Sequence, residues 1–201
     1  MTSRLEKVIE TSETLQYQAD KWSTERIALD GVQNHLPADS GGSHVDIDFL
    51  VGGSWIPYSR RTAISPSQIE AIRFADDGKG YSCDLLGVFQ SSKAGDTKSV
   101  GQFGEGVKML SAACVREGID LELRSRDWSA VPTVREFIAD EQRVQQLKYN
   151  IFRHDNMNKG STTIFRKSQG RPSRFDILVQ YVLELQKKVL GLTGSYPALL
   201  R

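Results

Sequence analysis

The residues of this chain best suited to chemistry begin with a cluster of glycines. Within VGQFGEGVKM, residues 100–109, Gly101, Gly104 and Gly106 stand just ahead of an apolar run that reads as a helix. Backbone N–H groups at the positive end of a helix can hold phosphate, and glycines let that backbone come close. A plain tight turn has the same composition. The spacing GxxGxG is not the GxGxxG of dinucleotide-binding loops, and no GxxxxGK[ST] phosphate loop occurs. Asp30 and Asn34 lie four residues apart, hence on one helical face, where a carboxylate that orients water would stand beside an amide oxygen that ligates a metal. The alternative is a solvated polar stripe. In Asp76-Asp77-Gly78-Lys79-Gly80 the glycines allow a sharp turn against a flat ring, and a carboxylate there can accept a hydrogen bond from an exocyclic amine. An ordinary β-turn also uses such residues. In Gly160-Ser161-Thr162-Thr163-Ile164 the hydroxyls can support that carboxylate, or the run is simply a strand rich in β-branched residues.

These groups need elements to hold them. The apolar spacing over 5–36 predicts two helices broken near Trp22-Ser23-Thr24 and ended by Pro37. After SGGS at 40–43, HVDIDFLV and SWIPYSRR read as a hairpin around Gly52-Gly53, with Val45, Ile47 and Phe49 on its buried face. Residues 69–74 form a strand that runs into the turn at 75–80, and 84–100 become a short helix and then a mobile polar loop. The helix that starts at Gly106 stops near Gly118. Three strand-like runs follow at 119–128, 131–140 and 144–154, then a turn at 156–161 and a strand at 162–167. An amphipathic helix over about 173–192, with Ser173 as its N-cap, closes the chain. This order predicts one α+β domain over 1–201, a two-layer sandwich whose mostly antiparallel mixed sheet is covered by helices on one face.

The bulk numbers narrow the functional classes. The chain has 201 residues, enough for one full core, and 26 basic against 25 acidic residues leave a formal net charge of +1. No overall field draws the chain to nucleic acid or to an anionic membrane. Two cysteines without CxxC spacing, Cys83 and Cys114, exclude a disulfide scaffold and a zinc cluster, and both read as small buried apolar groups in a reducing compartment. The start MTSRLEKVIETSETLQ carries no signal-peptide core and no apolar run is long enough to span a bilayer, so the expectation is a cytoplasmic protein with no membrane partner.

In order along the chain, the four motifs resemble the ATP-binding domain of the GHKL superfamily, the group of gyrase B, Hsp90, histidine kinases and MutL. The likeness spans about 25–167. VGQFGEGVK is most similar to Hsp90-like and MORC-like versions, and Ser91-Ser92-Lys93 is similar to the lid of the type IIB topoisomerase B subunit. The resemblance implies a Bergerat fold with ATP between sheet and helices, under a lid at about 85–100. It implies that Asn34 ligates Mg2+, that Asp76 binds the adenine amine, and that Gly78 and Gly80 shape the base pocket. It implies further that the loop Gly101, Gln102, Phe103, Gly104, Glu105, Gly106, Val107 and Lys108 meets the phosphates, that Lys93 reaches them from the lid, and that Thr162 or Thr163 joins the adenine-side network.

The N-box of hydrolytic relatives reads E-x-x-x-N, and here Asp30 holds the glutamate's place with an arm one methylene shorter. Asp30 is the expected general base, and hydrolysis is expected to be slow. Lys93, Lys98 and Lys108 are weighed between phosphate contacts and solvated surface groups, His35 is read as a helix cap or surface group, and Trp22, Trp55 and Trp128 as packing residues. The expected activity is Mg-ATP binding with slow hydrolysis, driving lid closure and a conformational or homodimerisation switch, with a partner protein or a further domain completing the site. Two alternatives stand: an ATP- or ADP-binding regulatory module without turnover, and a protein kinase of the histidine-kinase type.

Overall fold

A computed structural model describes residues 4–35, 45–88 and 105–193, with side chains to Leu185. The chain runs β1 (Arg4–Thr14), α1 (Thr24–Gln33), β2 (Val45–Val51), β3 (Ser54–Pro57), β4 (Ala71–Asp76), α2 (Gly106–Arg116), β5 (Ile119–Ala139), β6 (Gln142–Lys167) and α3 (Phe175–Thr193). Six strands form one sheet in which β1 and β4 share one edge of β6, β5 lies along the other edge, and β2 and β3 extend the sheet beyond β4. The class is α+β, and every pairing among the described residues is antiparallel rather than mixed.

Strand alternation decides what each face meets. Phe49, Ile72, Phe165 and Leu121 stand opposite one another across four strands, all buried, and with Phe74 they form the floor on which the helices pack. One step along, Asp48, Arg73, Ile164 and Glu122 stand opposite one another on the other face. There Arg73 binds Asp48 at 2.7 Å and stacks over Trp55, while Glu122 pairs with Arg124 and Arg166. One face is therefore apolar and roofed, and the other is an ion-paired polar surface. α1 lays Ile27, Ala28 and Val32 on the apolar side, α2 contributes Met109, Leu110 and Ala113, and α3 contributes Phe175, Leu178 and Val182. Ser23 Oγ accepts from Arg26 N–H to cap α1, and Ser173 Oγ accepts from Phe175 N–H at the start of α3.

Two readings of the sequence are corrected. The first half of 5–36 is strand β1, not helix. Its inward positions are Ile9, Thr11 and Glu13, so two of three carry polar side chains and the two-residue period leaves no apolar trace, while Leu5 and Val8 remain exposed. The four strand runs after α2 are only two strands. β5 continues through the expected break at 129–130, where Ser129 and Ala130 pair in register with Phe152 and Ile151, and 156–161 stays within β6 opposite the register shifts at Ser125, Arg126 and Trp128, with Arg126 at φ 49°. No helix among the described residues is long and apolar enough to cross a membrane.

Candidate functional site

β4 delivers Asp76 to the helix-covered end of the sheet, where the chain turns through Asp77, Gly78, Lys79 and Gly80. The Asp76 carboxylate is fixed from three sides. Oδ1 accepts from Gly78 N–H at 2.9 Å and from Ser161 N–H at 3.3 Å, and Oδ2 lies 2.7 Å from His35 Nδ1. His35 Nε2 lies 2.8 Å from Thr163 Oγ1. An ionised carboxylate only accepts, so Nδ1 carries the proton toward Asp76. The imidazole also stacks on Phe74, with centroids 6.5 Å apart and planes 18° from parallel.

Two glycines make this approach possible. Gly160 sits at φ 69°, and a Cβ there would stand 1.9 Å from the Asp76 carbonyl oxygen. Gly80 sits at φ 65°, where a Cβ would stand 2.4 Å from Ser125 Oγ. That hydroxyl accepts from Tyr81 N–H and donates to Gly160 O, so it ties the turn after β4 to β6. Trp128 completes the wall, donating Nε1–H to Tyr81 O at 2.9 Å with its ring edge-on to Tyr81.

α1 brings the second part. Asn34 closes the helix with its backbone N–H on Asp30 O, and its side-chain Nδ2 is buried without a hydrogen-bond partner. Its Oδ1 is 3.5 Å from where a Cβ on Gly106 would stand, so the amide faces the N-terminus of α2. Asp30, one turn earlier, is 5 % exposed, and its Oδ2 accepts from Arg26 Nε–H at 2.6 Å. Burial raises the Asp30 carboxyl above the usual carboxylate range, with Arg26 pulling it back in part.

Asp76, Gly78, Gly80 and Thr163 thus meet at one end of the site, and Asn34 and Gly106 at the other, with Asp30 behind Asn34. Glu105 and Val107 flank Gly106 at the start of α2. Thr162 is placed elsewhere: it pairs with Ala75 and Arg124 on the polar face, because alternation sends neighbours Thr162 and Thr163 to opposite sides. The Lys108 ammonium is turned inward, 1 % exposed, 2.7 Å from Val88 O and 3.2 Å from Glu13 Oε1. Helix periodicity explains this, since Lys108 shares the buried flank of α2 with Ser111 and Ala112. Lys93, Gly101, Gln102, Phe103 and Gly104, together with Lys98 and most of the expected lid, lie outside the described residues.

His35 differs most from its sequence reading. It is 3 % exposed and bridges two site residues, rather than capping the helix or lying on the surface. The signal that marks it is its place at the end of the Ile27, Gly31, His35 stripe, four residues apart at each step on the buried side of α1. Asp76, His35 and Thr163 form the acid–imidazole–hydroxyl line of a nucleophilic triad. Thr163, though, is 4 % exposed and paired on both sides within the sheet, which leaves no backbone donors for an oxyanion. The line therefore holds Asp76 in place rather than arming Thr163.

Among the described residues no group of three or more His, Cys, Asp or Glu side chains could hold a metal ion. A magnesium ion bound through one protein oxygen, phosphates and water needs no such group. Compared with known proteins, the chain matches no family model and no curated protein.

Proposed function

We propose that this chain is a GHKL-type nucleotide-binding domain that takes Mg-ATP between the sheet and α1 and α2, with the base at Asp76 and the phosphates at the start of α2. One juxtaposition supports this reading. Neighbouring residues Asn34 and His35 join the two halves, Asn34 facing the N-terminus of α2 and His35 touching Asp76. The residues present suit the ligand. A carboxylate offers about four acceptor positions, of which Gly78, Ser161 and His35 take three, and the Asp76 side chain is 10 % exposed, so one acceptor remains for an exocyclic amine. The orphaned Asn34 amide and the first N–H groups of α2, which lie ahead of the helix's own carbonyls, provide polar groups where phosphate and metal would lie.

When bound, Mg-ATP supplies the phosphoanhydride bond and the charge that lid closure would sense. The chain's own groups would orient it: Asp76 would accept from the base, Asn34 Oδ1 would be the oxygen offered to the metal, and the N-terminus of α2 would offer N–H groups to the phosphates. Asp30 is the general-base candidate, with Oδ2 occupied by Arg26 and Oδ1 left to take a proton from water. Lid closure is the step that drives the conformational or homodimerisation switch. The Arg26 contact favours a second reading, a module that binds ATP or ADP without turnover and acts through a partner.

Calorimetric titration with a non-hydrolysable ATP analogue, with and without Mg2+, tests the proposal. Saturable binding that is lost in Asp76→Asn and becomes Mg2+-independent in Asn34→Ala is expected. No binding at millimolar nucleotide overturns it. Phosphate release that is abolished by Asp30→Asn would select hydrolysis over the non-hydrolysing reading.

A further inference from the structure

We propose that the unroofed face of the sheet over β1, β5 and β6 is a self-complementary docking surface for a second copy of this chain, packed face to face with its strands reversed. The inference stands apart from the nucleotide-binding reading, which concerns the helix-covered face, and this dimer needs no nucleotide. Eight large apolar side chains are exposed among the described residues. Five of them, Leu5, Val8, Tyr17, Phe137 and Ile138, belong to β1, the turn after it, or the end of the β5 and β6 hairpin. Scattered exposed apolar residues are ordinary on a protein surface, whereas a contiguous group marks an interaction site.

Register gathers them into one strip. Leu5 stands opposite Phe152, and Val8 and Val131 stand on either side of Asn150. Glu10 and Thr133 flank Lys148, and Phe137 stands opposite Val144. Phe152, Asn150, Lys148 and Val144 alternate with the buried Ile151, Tyr149 and Leu147, so all these positions share the unroofed face. β1 reaches only to Gln146, with Leu15 N–H on Gln145 O. Beyond that, residues 137–139 and 142–144 pair with each other and with no third described strand. The hairpin end is therefore an arm, with Phe137 on one side and Ile138, 78 % exposed, on the other.

The two ends of the strip match each other. Phe152 lies four residues from Lys148 in one direction and Val144 four residues in the other, about 13 Å each way at the rise of a strand. A two-fold axis crossing the strands at the Lys148 row thus lays the end with Leu5 and Phe152 on the end with Phe137 and Val144 of the second copy, apolar on apolar, twice. The unpaired charges fall the same way. Arg4, exposed and without an ion-pair partner among the described residues, stands one residue past Phe152 and opposite Arg153, which Glu6 and Asp127 engage. Asp140 and Glu141, exposed and likewise without such partners, form the turn of the arm. The same axis brings that acidic turn over the Arg4 end. The middle row carries both signs, with Glu10 held by Arg135 at 3.0 Å beside Lys148.

The test is sedimentation equilibrium of the whole chain without nucleotide, from about 1 to about 500 µM, a span that covers modest interfaces. The wild type is expected to dimerise reversibly within it. Leu5→Glu and Phe137→Lys, both at exposed positions, are each expected to raise Kd at least about tenfold without moving Tm. Val8→Glu repeats the first perturbation at a neighbouring exposed site if Leu5→Glu does not fold. Ile177→Lys, exposed on α3 at the roofed side, is expected to leave Kd unchanged. An equimolar mixture of the Leu5→Glu and Phe137→Lys chains is expected to associate at least about fivefold more tightly than either alone. In that mixed pair the new charges meet at one end and the native apolar residues meet at the other. A wild type that stays monomeric throughout overturns the inference, as does a dimer that neither variant weakens or that Ile177→Lys weakens equally. A mixture no tighter than its components also overturns it, because the ends then do not face each other.

Discussion

Glu13 and Lys108 form a charged pair inside the protein, and their separate and joint replacement gives a sharp test of how α2 is held. Their side chains are 2 % and 1 % exposed with N to O at 3.2 Å. At an effective dielectric of about 20 the attraction across that distance is about 5 kcal/mol, and removal of each ion from water costs several kcal/mol in the other direction. The two nearly cancel while both ions are present. Removing one leaves the other buried without its counter-charge, which costs about 3–5 kcal/mol. Glu13 is the more exposed to this penalty in energetic terms, because neither of its carboxylate oxygens has a hydrogen bond. Lys108 keeps the Val88 carbonyl.

The expected result is that Glu13→Leu and Lys108→Met each lower stability by about 3–5 kcal/mol, while the double variant comes within about 1 kcal/mol of wild type or exceeds it. Urea unfolding followed by circular dichroism measures this, and for a chain of this size each kcal/mol moves Tm by about 2–4 °C. A Glu13→Leu variant within about 1 kcal/mol of wild type would refute the argument, since it would mean that the pair is hydrated. The double variant also bears on function. Because the Lys108 ammonium is engaged by Glu13 and the Val88 carbonyl, the folded double variant is expected to bind nucleotide within about threefold of wild type, a small change on the affinity scale. Loss of binding in a folded double variant would place Lys108 among the phosphate-binding groups.

Other perturbations follow from single positions. At Asp30 burial raises the folded-state pKa above the unfolded one, so the stability this carboxyl contributes is full below its unfolded pKa and is lost as pH rises through the folded one. Asp30→Asn removes that loss, and its Tm is expected to gain on wild type from about pH 4 to pH 7 but not near pH 3, a window set by ordinary carboxylate titration; an equal offset at both ends would refute the assignment. Gly160→Ala puts a methyl 1.9 Å from the Asp76 carbonyl at φ 69°, whereas Gly170→Ala meets nothing within 4 Å at φ 74°. The first is expected to cost well over about 3 kcal/mol and the second only the backbone penalty of about 1–2 kcal/mol, read from paired melting curves. Burial pushes the thiols of both Cys83 and Cys114 upward, so a thiol-reactive chromophore is expected to label neither until urea unfolds the chain, and rapid labelling of native protein would contradict the packing.

What the sequence made legible was apolar order, and what it concealed was inward-facing polarity. β2, β4, α2 and the buried stripes of α1 and α3 carry their hydrophobic period openly, and they fix the helix-covered sheet. β1 hides its period because Thr11 and Glu13 occupy inward positions, Thr11 Oγ1 donating to Leu147 O and Glu13 meeting Lys108. Periodicity rules read such residues as outward, since a charged side chain is buried only with a partner, and that partner is a distant part of the chain. The same reason separates the legible half of the site from the hidden half. Asp76 and its glycines announce a turn with a carboxylate, because turn chemistry is local. His35 reaches Thr163 across 128 residues of sequence, and no local pattern distinguishes that imidazole from a helix cap. Thr162 and Thr163 show the limit most directly. They are adjacent and identical in type, and only the register of β6 against β4 and β5 decides which faces His35 and which faces Arg124. The polar contacts that define the site are therefore set by sheet register, and register is a property of the assembled strands, each of which alone leaves it open.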